Sequence, residues 1–215
     1  MILLNLNEKK KLIDKFAEGF NKTKKQVVVG RIGANEELKE KLKLKFIPTP
    51  SLRVNRALGG GWARGRITTL TGEADSGKTF ILLETIAKAM KEDPDFMVGW
   101  LESESSVSIK DFELFDIDID RVVFSEARKD GGAEEAIDIV EAMLTTGALD
   151  MFVINSVKCL VPKKELDGSM EDQTIGLQAR FNAKMMRKLT SLIKETNTAF
   201  IMVQHLSTEI GKERN

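Results

Sequence analysis

The sequence predicts an α/β domain built on a doubly wound, mostly parallel sheet and preceded by a helical arm. Three observations carry this reading. From residue 67 onward, short apolar runs alternate with helical segments, the pattern of successive βαβ units. A glycine-rich stretch of the form G-x-x-x-x-G-K-[ST], Gly72 to Thr79, joins the first of those runs to the first helix. Charge is divided along the chain: residues 1–46 hold 12 Lys/Arg and 6 Asp/Glu, and residues 47–215 hold 21 and 27. A leader of net +6 therefore precedes a domain of net −6, and the two are able to attract each other between copies of the chain.

In the leader, Leu12, Ile13, Phe16 and Phe20 recur at helical spacing between Asn5 and Asn21, while Lys9, Lys10, Lys11 and Lys15 fall largely elsewhere. This predicts an amphipathic helix. The run Val27-Val28-Val29 and the charged stretch EELKEKLKLK follow, and the break at Pro48-Thr49-Pro50 puts a boundary near residue 47. Residues 1–46 are read as the arm and 47–215 as the main domain. In that domain strands are expected at Ile67–Leu70, Met97–Leu101, Arg121–Ser125, Met151–Ile154 and Ala199–Val203. Helices are expected over Lys78–Lys91, Ile109–Phe115, Ala133–Thr145 and Gly176–Thr196, with turns at Gly59-Gly60-Gly61 and Gly131-Gly132.

Composition excludes several classes. A single cysteine, Cys159, and a single histidine, His205, rule out a disulfide framework and a Cys/His zinc cluster. No run approaches the roughly 18 uncharged apolar residues of a membrane span, so a cytoplasmic location without membrane contact is expected.

The glycine-rich stretch has the right surroundings, with a strand before it and a helix after it. Its glycines let backbone N–H groups turn towards phosphate oxygens, and the helix N-terminus adds the positive end of its dipole. Gly72, Glu73, Ala74, Asp75, Ser76, Gly77, Lys78, Thr79 and Phe80 are thus the candidate ATP-binding set. Lys78 is placed on the β- and γ-phosphates and the Thr79 hydroxyl on Mg²⁺.

Ligands and chemistry gather at the carboxyl ends of strands in such sheets. The second strand runs into Glu102-Ser103-Glu104, and either carboxylate is placed to polarise a water; period-two alternation puts both on one side and does not choose between them. The fourth strand ends in Asn155, where a metal-binding aspartate is usual. An amide there weakens the attraction for Mg²⁺, and Asn155→Asp is expected to restore it. The fifth strand ends in Gln204-His205, a polar pair able to sense the γ-phosphate.

The order PSLRVNRALGGGWARGRITTLTGEADSGKT, LESE, FVINSVKCLVPKKELDG, GLQARFNAKMMRKL and NTAFIMVQH resembles the RecA recombinases, particularly those of T4-type bacteriophages. The resemblance implies a DNA-dependent ATPase that forms a filament on single-stranded DNA and promotes homologous pairing and strand exchange with duplex DNA. It implies that Glu104 is the water-activating glutamate and that Asn155 takes the place of the metal-site aspartate. His205 falls on the residue that couples the γ-phosphate to the second DNA loop. The first DNA loop matches Gly168–Ile175, including Ser169, and Arg180 and Arg187 match DNA-contacting positions, with Lys188 beside them. For the adenine-stacking aromatic the match falls near Asp111 or Phe112, and the leader helix resembles the segment that packs on a neighbouring protomer. In this family the sheet continues past the position of Gln204-His205, so the chain is expected to be incomplete at its C-terminus, to leave its last strand as an open sheet edge, and to be poor at recombination. Two alternatives stay open: a catalytically weak, regulatory ATP-binding module, and a ring-forming ATPase of the same superfamily.

Overall fold

Helices long enough to carry the chain back across the sheet separate its strands, so those strands pair parallel. The computed structural model describes residues 7, 10, 11, 14, 15, 18, 36–127, 131–168 and 176–206. The chain divides into two compact units, Met1–Leu44 and Lys45–Asn215. In the first, the described residues from Asn7 to Glu18 are helical, and a helix α1 spans Glu36–Leu42. Leu12, Ile13, Phe16, Phe20 and the Val27–Val29 run lie outside the described residues.

The second unit opens with a small antiparallel pair, β1 (Phe46–Ile47) and β2 (Trp62–Ala63), joined through the short helix α2 (Leu52–Ala57). The main elements follow: β3 (Arg66–Gly72), α3 (Lys78–Glu92), β4 (Val98–Glu102), α4 (Ile109–Leu114), β5 (Val122–Glu126) and α5 (Gly132–Thr145). After these come β6 (Met151–Asn155), α6 (Lys163–Leu166), α7 (Leu177–Thr196) and β7 (Ala199–His205). The five long strands form one all-parallel sheet in the order β3-β7-β6-β4-β5.

Both faces of the sheet are covered, which is why its inner strands read as unbroken apolar runs. Alternate residues of β6 go to opposite faces. Met151 and Val153 join Leu82, Ile86 and Met90 of α3 and Trp100 in one core. Phe152 and Ile154 join Ile137, Val140 and Leu144 of α5 and Phe181, Met185, Leu189 and Ile193 of α7 in the other. The four-residue spacing of the α7 set leaves its opposite side to solvent.

One glycine of the inner strand β4 is required by this packing. Phe152 stacks on Phe200 with ring centroids 5.4 Å apart and planes 10° from parallel. A Cβ on Gly99 would lie 2.4 Å from Phe152 Cδ2 and 2.9 Å from Leu149 Cδ1. Gly99→Ala is therefore expected to destabilise the fold by about 1–3 kcal/mol, the usual cost of overpacking a core. Urea unfolding measures it, and a variant as stable as the parent would show that the ring moves aside freely.

The strand that ends at His205 is not an edge, contrary to the sequence-based expectation. It lies between β3 and β6 and pairs with both. The crossover through α7 returns the chain to the middle of the sheet, so among the described residues the edges are β5 and β3, the strand that leads into the phosphate loop. Among the described residues, no helix is long and apolar enough to cross a membrane.

Candidate active site

Register brings the carboxyl ends of four neighbouring strands into one row. Gly72 of β3 pairs with His205 of β7, and Asn155 of β6 pairs with Glu102 of β4. The ends of β3, β7, β6 and β4 thus follow one another at strand spacings of about 4.8 Å. The loop after β3 opens over this row. Ala74 to Phe80, Glu104, Ser106, Asn155 and His205 line one cavity of about 460 Å³.

The loop has the shape its motif requires. Gly77 has φ +82°, a left-handed conformation that costs a side-chain-bearing residue energy. A Cβ on Gly72 would lie 2.7 Å from Ser76 Oγ, so a side chain here would push the Ser76 hydroxyl out of its place in the loop. Lys78 is buried, and its ammonium donates to the carbonyls of Gly72 at 3.2 Å and Glu73 at 2.5 Å. Lys78 opens α3, a helix of 15 residues whose N-terminus faces the same cavity. The donor set fits a nucleotide triphosphate: an ammonium, a helix N-terminus and a glycine-lined turn. Thr79 and Asn155 add the hard oxygen ligands that suit Mg²⁺.

The two glutamates that the sequence leaves equivalent are separated by the structure. Glu102 is only 1% exposed and its carboxylate is fully engaged: Oε2 accepts from Trp100 Nε1 and from Asn155 Nδ2, each at 3.0 Å. Oε1 accepts from the backbone N–H of Glu104 at 2.9 Å and of Ser106 at 3.3 Å. Glu104 lies past the strand end and lines the cavity. Its Oε1 accepts from the Ser156 hydroxyl and lies 2.8 Å from His205 Nε2 and 3.8 Å from Cys159 Sγ. Burial pushes the Cys159 thiol up, so it faces Glu104 as a neutral donor and adds no second negative charge. Ser156 and Cys159 are contacts that sequence reasoning missed. Only their position after Asn155 marked them.

Neither residue matched near the adenine-stacking position is available for that task. Asp111 accepts from the backbone N–H and the hydroxyl of Ser108, both at 2.7 Å, in a capping box at the start of α4. These bonds, the hydroxyl's first, hold its carboxyl below the usual range. Phe112 is 3% exposed and meets Trp100 edge to face at 5.6 Å. The exposed ring beside the phosphate loop is that of Phe80, which meets Phe115 edge to face at 5.3 Å.

On α7, Arg180 and Arg187 are exposed two turns apart, and exposed Lys184 stands between them on the same stripe, a cation that sequence reasoning missed. Lys188 is drawn away from them. It pairs with Asp138 at 2.7 Å and Glu141 at 2.6 Å on α5, and those hydrogen bonds, Asp138's first, raise its pKa. Gly168 follows α6, while Ser169 and Ile175 lie outside the described residues.

Comparison with known proteins bears directly on this arrangement. The RecA N-terminal domain family matches residues 12–213. This chain belongs to the RecA family. It is 36% identical over 195 residues to Protein RecA of Heliobacterium modesticaldum, covering 90% of this chain and 55% of that protein. It is 34% identical over 205 residues to Protein RecA of a Sulfurovum species, covering 95% and 56%, and 37% identical over 172 residues to that of Thermus aquaticus, covering 80% and 49%. The chain spans about half the length of these curated relatives.

Proposed function

We propose that this chain is the ATP-binding part of a DNA-dependent ATPase that assembles on single-stranded DNA and promotes homologous pairing and strand exchange with duplex DNA. One observation carries the reading. In a chain of the RecA family, the phosphate loop and Glu104 line the same cavity. Lys78 and the backbone N–H groups at the start of α3 hold the β- and γ-phosphates, and Thr79 and Asn155 hold Mg²⁺ directly or through its waters. A Mg²⁺ held by these residues would supply charge neutralisation for the phosphoryl oxygens. Glu104 accepts the proton of the attacking water, and His205, joined to it by a 2.8 Å contact, links hydrolysis to whatever follows β7.

Glycine-flanked residues 168–175 and the α7 stripe are the DNA-facing elements of this reading. The basic arm, residues 1–46, packs on the acidic domain of a neighbouring copy in the filament. A cytoplasmic location follows from DNA as substrate. Kinship with T4-type phage members is supported by His205, where bacterial members usually carry glutamine; the relatives described above are bacterial.

The test is ATP hydrolysis with and without single-stranded DNA, with the assemblies viewed by electron microscopy. Stimulated turnover with filaments is the expected result. ATP binding without turnover would replace this reading by the regulatory module, and hexameric rings would replace it by the ring-forming ATPase.

DNA contact is tested separately. Arg180→Ala with Arg187→Ala is expected to weaken single-stranded DNA binding whatever its sequence and to flatten the salt dependence by about 0.7 per lost phosphate contact. Fluorescence anisotropy across a salt series reads this out. An unchanged slope would mean that the two arginines are simply solvated.

A further inference from the structure

The usual aspartate is missing at Asn155, yet the charge is not missing from the site. Asn155 and Glu102 face each other in register on adjacent strands and are each 1% exposed. Asn155 Nδ2 donates to Glu102 Oε2 and to Ser106 Oγ, both at 3.0 Å. The other partners of the Glu102 carboxylate are an indole N–H, two backbone N–H groups and, at 3.5 Å, the Ser106 hydroxyl, each of them donating to it. This donor set suits a carboxylate. With its nitrogen committed to Glu102 and Ser106, Asn155 has its oxygen left for a magnesium-bound water.

We propose that Glu102 is a positioning residue that supplies, one strand further from the phosphate loop, the negative charge that Asn155 lacks, so that the pair acts as one unit. Glu102 also fixes the backbone of Glu104 and Ser106, setting the height at which the Glu104 side chain enters the cavity. The sequence-based expectation for Asn155→Asp is thereby reversed. An ionised aspartate cannot donate to Glu102, and it sets two carboxylates about 3 Å apart where both are buried; like charges exclude each other there, so one of the two must keep a proton and the site gains no charge. Moving the charge instead of adding one avoids this conflict. In the double variant Glu102→Gln with Asn155→Asp, the Gln amide donates to the new carboxylate and the total charge is unchanged.

The nucleotide part of this inference rests on the ATP site proposed above, so two kinds of measurement are made on the full chain. In the first, Mg²⁺ is titrated against binding of a non-hydrolysable ATP analogue. Asn155→Asp is expected to raise the Mg²⁺ needed for half-maximal binding about tenfold, and the double variant to return it to within about threefold of the parent, a coupling typical of contacting charged groups. In the second, urea unfolding is compared across the same cycle, and the two indole N–H resonances of the chain are followed by NMR. Trp100 donates to Glu102 whereas Trp62 donates to Thr85, so Asn155→Asp and Glu102→Gln should shift the first resonance and leave the second in place.

Rescue of both Mg²⁺ dependence and folding by the double variant supports the pairing, as does a double variant that folds where Asn155→Asp does not. An Asn155→Asp chain with equal or lower Mg²⁺ demand, or a double variant no better than the single, overturns it. If the parent binds no nucleotide, the ATP reading falls, and the unfolding cycle and the Trp100 resonance still decide whether Glu102 and Asn155 are coupled.

Discussion

Glu104→Gln is expected to leave ATP bound and to lower DNA-stimulated turnover by about 10²–10⁴-fold, the range over which a positioned general base acts. The substitution keeps the length of the side chain and an oxygen for the Ser156 hydroxyl, so the cavity wall stays in place. What is lost is the carboxylate that takes a proton. The contacts from Ser156, His205 and Cys159 fall on Oε1, which leaves Oε2 as the oxygen for the water. Glu102→Gln, measured at saturating Mg²⁺, is expected to be milder, because Glu102 is sealed behind Trp100 and Asn155. Steady-state hydrolysis paired with calorimetry of ATP binding decides between them. A larger loss of turnover from Glu102→Gln, or a Glu104→Gln chain that no longer binds ATP, would remove Glu104 from the role of base.

Lys78→Ala is expected to weaken ATP binding at least tenfold, about 1.4 kcal/mol. Two effects act in the same direction. The phosphates lose their cationic partner, and the loop loses the ammonium that ties together the Gly72 and Glu73 carbonyls. Lys78 is buried at the start of α3, so surrounding water does not replace the lost charge fully. Calorimetry with ATP and Mg²⁺ measures the change, and equal affinity of variant and parent would displace the phosphate site from this loop.

These outcomes depend on residues that were legible to different degrees. The glycine-rich loop is a contiguous motif whose chemistry is local: the turn, the lysine and the helix start are specified within eight residues, so no tertiary information was needed to read it. The five long strands and the helices α3, α5 and α7 were legible because burial on both faces makes strands uniformly apolar and one-sided burial gives helices a stripe. The strands β3, β4, β6 and β7 nevertheless run on to Gly72, Glu102, Asn155 and His205, beyond the ends that hydrophobicity marks. Ladder hydrogen bonds continue through polar residues, whereas the apolar signal stops where the site begins. The pair β1 and β2 and the short helices α1, α2 and α6 were missed: strands of two residues show no alternation, and α2 and α6 bury no residue that would mark a stripe, unlike the equally short α4, which buries Phe112.

By itself, then, the sequence determined the α/β class, the phosphate loop and the set of polar strand ends from which a site is drawn, since each depends on neighbouring residues alone. Only the tertiary structure decided how those ends are used. Strand order and register are set by packing between distant segments. That packing puts β7 inside the sheet, brings His205 onto Glu104, and sets Asn155 against Glu102, a pair 53 residues apart. Two glutamates two positions apart look alike in a sequence, but one lies within the ladder and is sealed by its neighbours. The other stands one turn of the loop beyond it, where a side chain reaches the cavity.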